Sequence, residues 1–461
     1  MSKIHLSAVV LMAALIPSQI SAALAEKEAP EAREARMGWW REARFGMFVH
    51  WGLYSGLAGN WKGKKVADSG GMEWIQQRVG VDTNTYFAEA APKFQPKQGF
   101  ATEWADLAKE AGCRYLVFTT KHHEGFSLHD SKAGNFDAGD LLQRDLVKEI
   151  TEATRAAGLK VGYYHSVIDW HHPEYDFTRS TKLPYPKEAR EKATAPRDHA
   201  KYIEYLHKQV GELLANYGKV DVVWWDYSAT DFQGDEAWKA SDLMAMVRKH
   251  QPATIMNNRL YRLPEAGFDG MGTHNITTTL DTRYGDFITP ENHVPPTGMP
   301  GTDWETCMTM NTTWGYSIHD KKWKSAADLI RTLSDISSKG GNLLLNIGPK
   351  GDGSVPEESV ASLRRMGEWM KVNGEAIYGT TAGGAVIPKA DARLTRKGDV
   401  LYLHLHDLKG NTEVTVPGKF SRATWLQGGT PATIRIEGET TIVETGDKLP
   451  DPDVSVIKLE P

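Results

Sequence analysis

Val220-Asp221-Val222-Val223-Trp224-Trp225-Asp226-Tyr227 is an apolar run that stops on a carboxylate. A short run with almost no polar alternation marks a strand buried on both faces, as in a parallel sheet. The same texture returns at Phe45–Trp51, Tyr115–Thr120, Lys160–Tyr164, Thr254–Asn257, Asp286–Thr289 and Asn342–Ile347. Between these runs lie amphipathic helical patterns at Ala101–Ala111, Leu142–Ala157, Asp198–Tyr217, Asp235–His250 and Ser325–Ser338. Strand alternating with helix predicts an α/β fold with helices outside a parallel sheet. Seven or eight such units favour a (β/α)8-like barrel over an open sheet. No G-x-G-x-x-G opens a helix after the first strand, which argues against a dinucleotide-binding fold.

The pattern changes after Tyr378-Gly379-Thr380. Val400–His406, Thr412–Val416, Thr433–Glu437, Thr440–Val443 and Val454–Glu460 alternate branched and polar residues with period two. They predict a C-terminal antiparallel β-sandwich domain. Of the 15 tryptophans only Trp425 lies there, so a structural partner fits this domain better than a sugar-binding module. At the other end, Lys3, the apolar stretch Val9–Ile16 and Ala23-Leu24-Ala25 read as a signal peptide cleaved after Ala25. The division is 1–25 signal peptide, 26–380 catalytic barrel and 381–461 β-sandwich. It predicts a periplasmic or secreted protein with no membrane anchor in the mature chain. Glu26–Arg41 reads as a surface-lying helix.

Composition narrows the partners. Aromatic residues at 10% and charged residues at 25% suit a globular chain rather than a disordered one. A net charge of −5 and the absence of a Lys/Arg run argue against nucleic acid. The 2 cysteines cannot form a disulfide scaffold; Cys113 precedes a strand, Cys307 sits in an irregular stretch, and two buried thiols are the expectation. The 15 Trp, 16 Tyr and 16 His suit a neutral, hydroxyl-rich ligand.

Catalytic groups of a parallel barrel gather at the C-terminal ends of its strands. Polar residues follow the runs there: His50, then His122-His123-Glu124, Tyr164-His165, Asp226, Asn257-Asn258-Arg259 and Glu291. Trp224 and Trp225 beside Asp226, and Trp51 beside His50, suggest ring faces flanking the polar groups. Two carboxylates on one rim, Asp226 and Glu291, are the minimum for glycoside hydrolysis: one attacks or activates, the other protonates the leaving oxygen. A metal site built from His50, His122, His123 and Asp226 is the competing reading. Adjacent histidines point to opposite sides of a strand, and neither H-x-H on the first strand nor H-E-x-x-H on a helix occurs, so no metal is assigned. A non-catalytic glycan-binding protein is a third reading. Asn342 and Asn346 are expected to bond inside the barrel.

Four segments in order resemble the α-L-fucosidases of glycoside hydrolase family 29: Phe45-Gly46-Met47-Phe48-Val49-His50-Trp51-Gly52, Lys121-His122-His123-Glu124-Gly125-Phe126, Trp224-Trp225-Asp226 and Gly340–Pro349. The similarity runs from about Met37 to the end and includes Gly367-Glu368-Trp369 and Ala376–Thr380. The resemblance implies a retaining exo-α-L-fucosidase acting on fucosylated oligosaccharides or glycoconjugates, without a cofactor. A homo-oligomer is compatible with it. It places the nucleophile on Asp226 and the fucose-binding shell on His50, Glu73, His122, His123, Tyr164, Trp224 and Arg259. Trp314 falls at the pocket for the sugar's methyl group. The acid/base falls on Glu291, with Glu305 as the alternative. Glu124, His165 and Tyr227-Ser228 depart from the residues common in the family, which leaves leaving-group preference open.

Overall fold

The computed structural model describes residues 28–176, 197–228, 232–261, 282–384 and 390–461. The leader lies outside these residues. Seven parallel strands form one curled sheet: β1 (Phe45–Val49), β2 (Tyr115–Lys121), β3 (Lys160–Ser166), β4 (Val222–Asp226), β5 (Ile255–Met256), β6 (Glu305–Thr309) and β7 (Asn342–Ile347). Their spatial order is β5-β4-β3-β2-β1-β7-β6.

The two edges are joined by residues 286–291. Asn257 bridges Phe287 on the β5 side; Ile288 bridges Trp304 and Glu291 bridges Cys307 on the β6 side. This eighth stave, expected as a strand at Asp286–Thr289, pairs only through isolated bridges. Pro290 has no amide hydrogen to give a ladder. Side chains compensate. The Asp286 carboxylate takes Arg36 at 2.6 Å, Arg248 at 2.9 Å and the Met256 amide at 2.7 Å.

Alternation along the strands separates two layers. Phe48, Tyr164, Val222, Trp224 and Cys307 point into the barrel, while Tyr163, Val223 and Trp225 pack under the outer helices. Gly46 has to be small: a Cβ there would lie 2.4 Å from the Tyr115 ring, which fills the interior. Cys307 therefore belongs to a regular strand, not to an irregular stretch. The mixed string Thr306-Cys307-Met308-Thr309 hid it. Both cysteines are buried free thiols.

The helices follow the predicted order with two breaks. Asp145 caps Leu146–Ala156 by accepting from the Lys148 amide, so that helix starts later than its apolar pattern. The helix expected at 235–250 divides at Lys239, which is left-handed at φ 49°. Ser325 and Asp328 form a capping box on Ala326–Ser338. Among the described residues no helix is long and apolar enough to cross a membrane.

The first helix, Pro30–Ala43, is not surface-lying. Met37, Trp40 and Ala43 are buried in the same cluster as the inward barrel residues. Trp40 packs on Phe287 at 4.9 Å, and Asn342 donates to the Trp40 carbonyl at 2.7 Å. This helix closes the N-terminal end of the barrel. Its charged composition describes only the outward face.

Beyond residue 380 the chain forms a five-stranded and a three-stranded antiparallel sheet. The strands Asp391–Lys397 and Arg422–Trp425 join those read from the sequence. Leu394, Leu403, Val414, Val443 and Ile457 fill the space between the sheets. Arg365 ties this sandwich to the barrel through Asp451 at 3.0 Å and Asp453 at 2.7 Å.

Trp40→Ala removes a fully buried indole from the barrel's closed end. It should lower unfolding free energy by about 3–5 kcal/mol in urea denaturation. A loss below about 1 kcal/mol would show that the helix is not a structural plug.

Candidate active site

Asp226, Glu291 and the expected fucose-binding shell (His50, Glu73, His122, His123, Tyr164, Trp224, Arg259 and Trp314) line one cavity of about 590 Å³ at the C-terminal end of the strands. Asp226 ends β4 and Glu291 ends the irregular stave. Arg259, just after β5, stands between them. Its Nη1 donates to Asp226 Oδ1 at 3.0 Å and its Nη2 to Glu291 Oε2 at 2.9 Å. Its Nε donates to Thr289 Oγ1 at 2.8 Å. The guanidinium lies 4.4 Å from the Trp224 ring. One planar fork thus holds the two carboxylates in neighbouring positions.

Asp226 is buried, which favours its neutral form. Arg259, His123 and the Tyr164 hydroxyl overcome that and hold its pKa below the ordinary 3.8. Tyr164 donates to Asp226 Oδ2 at 2.6 Å, and His123 Nε2 lies 3.6 Å from the same oxygen. The His123 ring is fixed by Ser166 Oγ at 2.7 Å from Nδ1.

His122 and His123 both face the cavity, against the expectation that neighbours point apart. β2 ends at Lys121, so strand alternation no longer governs them. Their rings lie 4.1 Å apart. His122 Nδ1 is buried without a hydrogen-bond partner. Among the described residues no group of three or more His, Cys, Asp or Glu is arranged to hold a metal.

His50 is held by Asn346 Oδ1 at 2.7 Å, while Asn346 Nδ2 donates to the Trp314 carbonyl at 2.9 Å. Burial, only partly offset by Asn346, lowers the His50 pKa from 6.5 to about 4. The ring is neutral at neutral pH and offers one donor and one acceptor. Trp314 packs against it at 4.9 Å. The loop carrying Trp314 is organised by Glu73, whose Oε2 accepts from the Trp314 amide at 3.2 Å and the Gly315 amide at 3.0 Å. Burial raises the Glu73 pKa above 4.5 despite these donors.

Glu305 does not line the cavity. It is 1% exposed inside the barrel, where it accepts from Trp224 Nε1 and Trp40 Nε1, each at 3.3 Å, and from the Tyr115 hydroxyl. Burial lifts its pKa to about 7. Trp51 and Trp225 also lie away from the cavity. Trp51 packs with Phe94, Phe100 and Trp104. An odd step along the strand puts each on the helix side, so chain adjacency to His50 or Asp226 misled.

Several lining residues had no sequence signal of their own. Phe48 and Cys307 could have been found from inward parity with His50 and from recognising β6. Gln77, Arg78 and Thr312 sit on loops and short helices whose position depends on tertiary packing. Lys121 and Asp169 form a fully buried ion pair at 3.0 Å below the rim. Asp169 also accepts from the His171 and His172 amides, shaping the turn that brings Trp170 against His123 at 5.6 Å.

Two carboxylates with one shared cation, neutral imidazoles and ring faces at the open end of a parallel barrel suit the hydrolysis of a glycosidic bond, which makes the chain a glycoside hydrolase by its site. Comparison with known proteins narrows the class. The profile of the family Alpha-L-fucosidase matches residues 12–375, and the chain belongs to that family. It is 31% identical over 376 residues to the plasma alpha-L-fucosidase of Homo sapiens, covering 76% of this chain and 71% of that one. The structure resembles alpha-L-fucosidase isoenzyme 1 from Paenibacillus thiaminolyticus, with TM-score 0.81 and 37% identity over 93% of this chain and 99% of that one. It also resembles a family 29 alpha-L-fucosidase from Bacteroides thetaiotaomicron trapped as a covalent intermediate with 2-fluoro-fucosyl fluoride. That likeness has TM-score 0.77 and 27% identity over 94% and 97% of the two chains.

The neutral burial of His50 carries a sign for stability. Its folded pKa lies below the unfolded value, so the unfolded chain binds the extra proton between pH 6.5 and about 4. The stability contribution is complete above 6.5 and is lost as pH falls across that window. Urea unfolding at successive pH values should show stability declining there. His50→Gln should remove about one proton from the uptake on unfolding near pH 5. An unchanged slope would contradict the assignment.

Proposed function

We propose that this chain is a retaining exo-α-L-fucosidase in which Asp226 is the nucleophile and Glu291 the acid/base. The observation that carries the assignment is the single Arg259 guanidinium touching both carboxylates. The retaining reading is supported by the family 29 relative trapped as a covalent intermediate, and it requires carboxyl groups about 5–5.5 Å apart rather than the roughly 6.5–9.5 Å of inverting enzymes.

Asp226, kept ionised, attacks the anomeric carbon as the glycosidic C–O bond breaks. Glu291 passes its proton to the departing oxygen. Water then attacks the fucosyl–Asp226 ester while Glu291 takes the water's proton, and fucose leaves with its configuration retained. His50, His122 and Tyr164 face the sugar hydroxyls. Trp314 packs toward the sugar's methyl group. The buried end of the cavity at Phe48 and Trp224 accepts a chain terminus, which favours exo action. Glu305 is already committed to three donors and serves the interior rather than the leaving group. The substrates are terminal α-L-fucosides of oligosaccharides or glycoconjugates. Residues 1–25 act as an export signal.

Asp226→Gly should lower kcat/KM on an aryl α-L-fucoside by more than about a thousandfold. Glu291→Ala should lose about 10²–10⁴-fold on natural fucosides and much less on activated aryl fucosides, which need little protonation. If Glu305→Ala shows this leaving-group pattern and Glu291→Ala does not, the acid/base assignment fails. N-terminal sequencing of exported protein should begin at Glu26; an intact Met1 would remove the signal assignment.

A further inference from the structure

His50 and His123 are each held from behind by a group whose own hydrogen is already spent. Two main-chain carbonyls decide this, because a carbonyl can only accept. Ser166 Oγ lies 2.9 Å from the Ile168 carbonyl, so the single hydroxyl hydrogen of Ser166 is donated there. The same oxygen lies 2.7 Å from His123 Nδ1. With its hydrogen committed the hydroxyl can only accept, so the ring carries its proton on Nδ1. The Trp314 carbonyl does the same for His50. It takes a hydrogen from Asn346 Nδ2 at 2.9 Å, which turns the amide so that Oδ1 faces His50 Nδ1 at 2.7 Å. An amide oxygen only accepts, so His50 also carries its proton on Nδ1.

Both anchors come from the neighbouring strand. Ser166 ends β3, beside the turn after β2 that carries His123. Asn346 sits on β7 opposite Phe48 of β1, and His50 follows the end of β1. Groups on strands are held more precisely than groups on loops.

A proton on Nδ1 leaves Nε2 of each neutral ring with a lone pair. His123 Nε2 lies 3.6 Å from Asp226 Oδ2, and both rings line the cavity. The donors around the nucleophile are committed to protein. Tyr164 gives its hydrogen to Asp226, and Arg259 points at Asp226, Glu291 and Thr289. The two rings therefore offer a ligand acceptors, and each hydroxyl of a polyol brings one hydrogen to give.

We propose that Ser166 and Asn346 are positioning residues that lock His123 and His50 in the Nδ1–H tautomer, so that both rings accept from sugar hydroxyls through Nε2. The lock also keeps a neutral His123 from donating to Asp226, a hydrogen bond that would stabilise the carboxylate and blunt its attack. The proposal rests on the fucosidase reading above and deepens it: the bound sugar is recognised by its hydroxyl hydrogens.

The test reads the tautomers directly. Protonated and bare ring nitrogens resonate apart in long-range hydrogen–nitrogen NMR spectra of histidine-labelled protein, recorded at about pH 8 where ordinary imidazoles are neutral. Signals are assigned by their loss in His50→Gln and His123→Gln. The wild type should show Nδ1–H and bare Nε2 on both rings. In Ser166→Ala the Asp226 carboxylate remains as an acceptor for His123, so the proton should move to Nε2 while His50 stays unchanged. With that move, kcat/KM on an aryl α-L-fucoside should fall about tenfold, the worth of one hydrogen bond. A serine with a merely structural role would lower activity and leave the tautomer as it was. Nε2–H on either ring of the wild type, an unmoved tautomer in Ser166→Ala, or a moved tautomer with full activity would each overturn the lock. The wild-type spectrum decides the first of these even where the alanine variant fails to fold. A wild type inactive on the aryl fucoside would instead sink the fucosidase reading itself.

Discussion

The contact on which this site depends is between Arg259 and its two carboxylates. A buried guanidinium is costly unless its charge is answered and its hydrogens are used. Asp226 and Glu291 answer the charge, and Thr289 and the Trp224 face take up the remaining surface. Loss of the arginine would leave the two carboxylates without their shared cation. The same side chain connects β4, the turn after β5 and the irregular stave. It therefore serves the barrel's closure and the chemistry at once.

Below this layer the apolar barrel interior holds a buried carboxylate, Glu305. Glu305 collects the indole hydrogens of Trp224 and Trp40 and the Tyr115 hydroxyl, linking the floor of the cavity to the helix that closes the other end. Buried carboxylates are tolerated when every lone pair is used and are expensive otherwise. This network gives Trp224 a fixed tilt, and Trp224 supports Arg259. Rigidity thus passes from the N-terminal helix to the catalytic rim through hydrogen bonds rather than through apolar packing alone.

Much of this was legible in the chain because parallel strands write their ends clearly. Runs such as Val222–Trp225 stop on a polar residue, and a barrel brings such ends together. The family-like segments then assigned individual residues, and the described structure gathers all of them except the alternative acid/base Glu305 around one cavity. What was not legible depended on parity and on irregular pairing. Trp225 and Trp51 looked like site residues by adjacency, yet an odd step sends them outward. β6 was hidden because Glu305–Thr309 has neither a continuous apolar run nor an alternation of polar and apolar residues. The N-terminal helix read as surface because its buried stripe is narrow. Gln77 and Arg78 sit on a short helix whose placement no local pattern specifies.

The two carboxylates stand on walls of different kinds. Asp226 ends a strand whose register is fixed on both sides, so a single inserted residue would turn the whole strand inside out. Glu291 follows Pro290 on a stave held by scattered bridges and side chains. Insertions or deletions there displace one loop and leave the ladder intact. The barrel therefore couples a half-site that cannot drift to one that can. A change of length beside Glu291 would reposition one carboxylate against the other without rebuilding the scaffold.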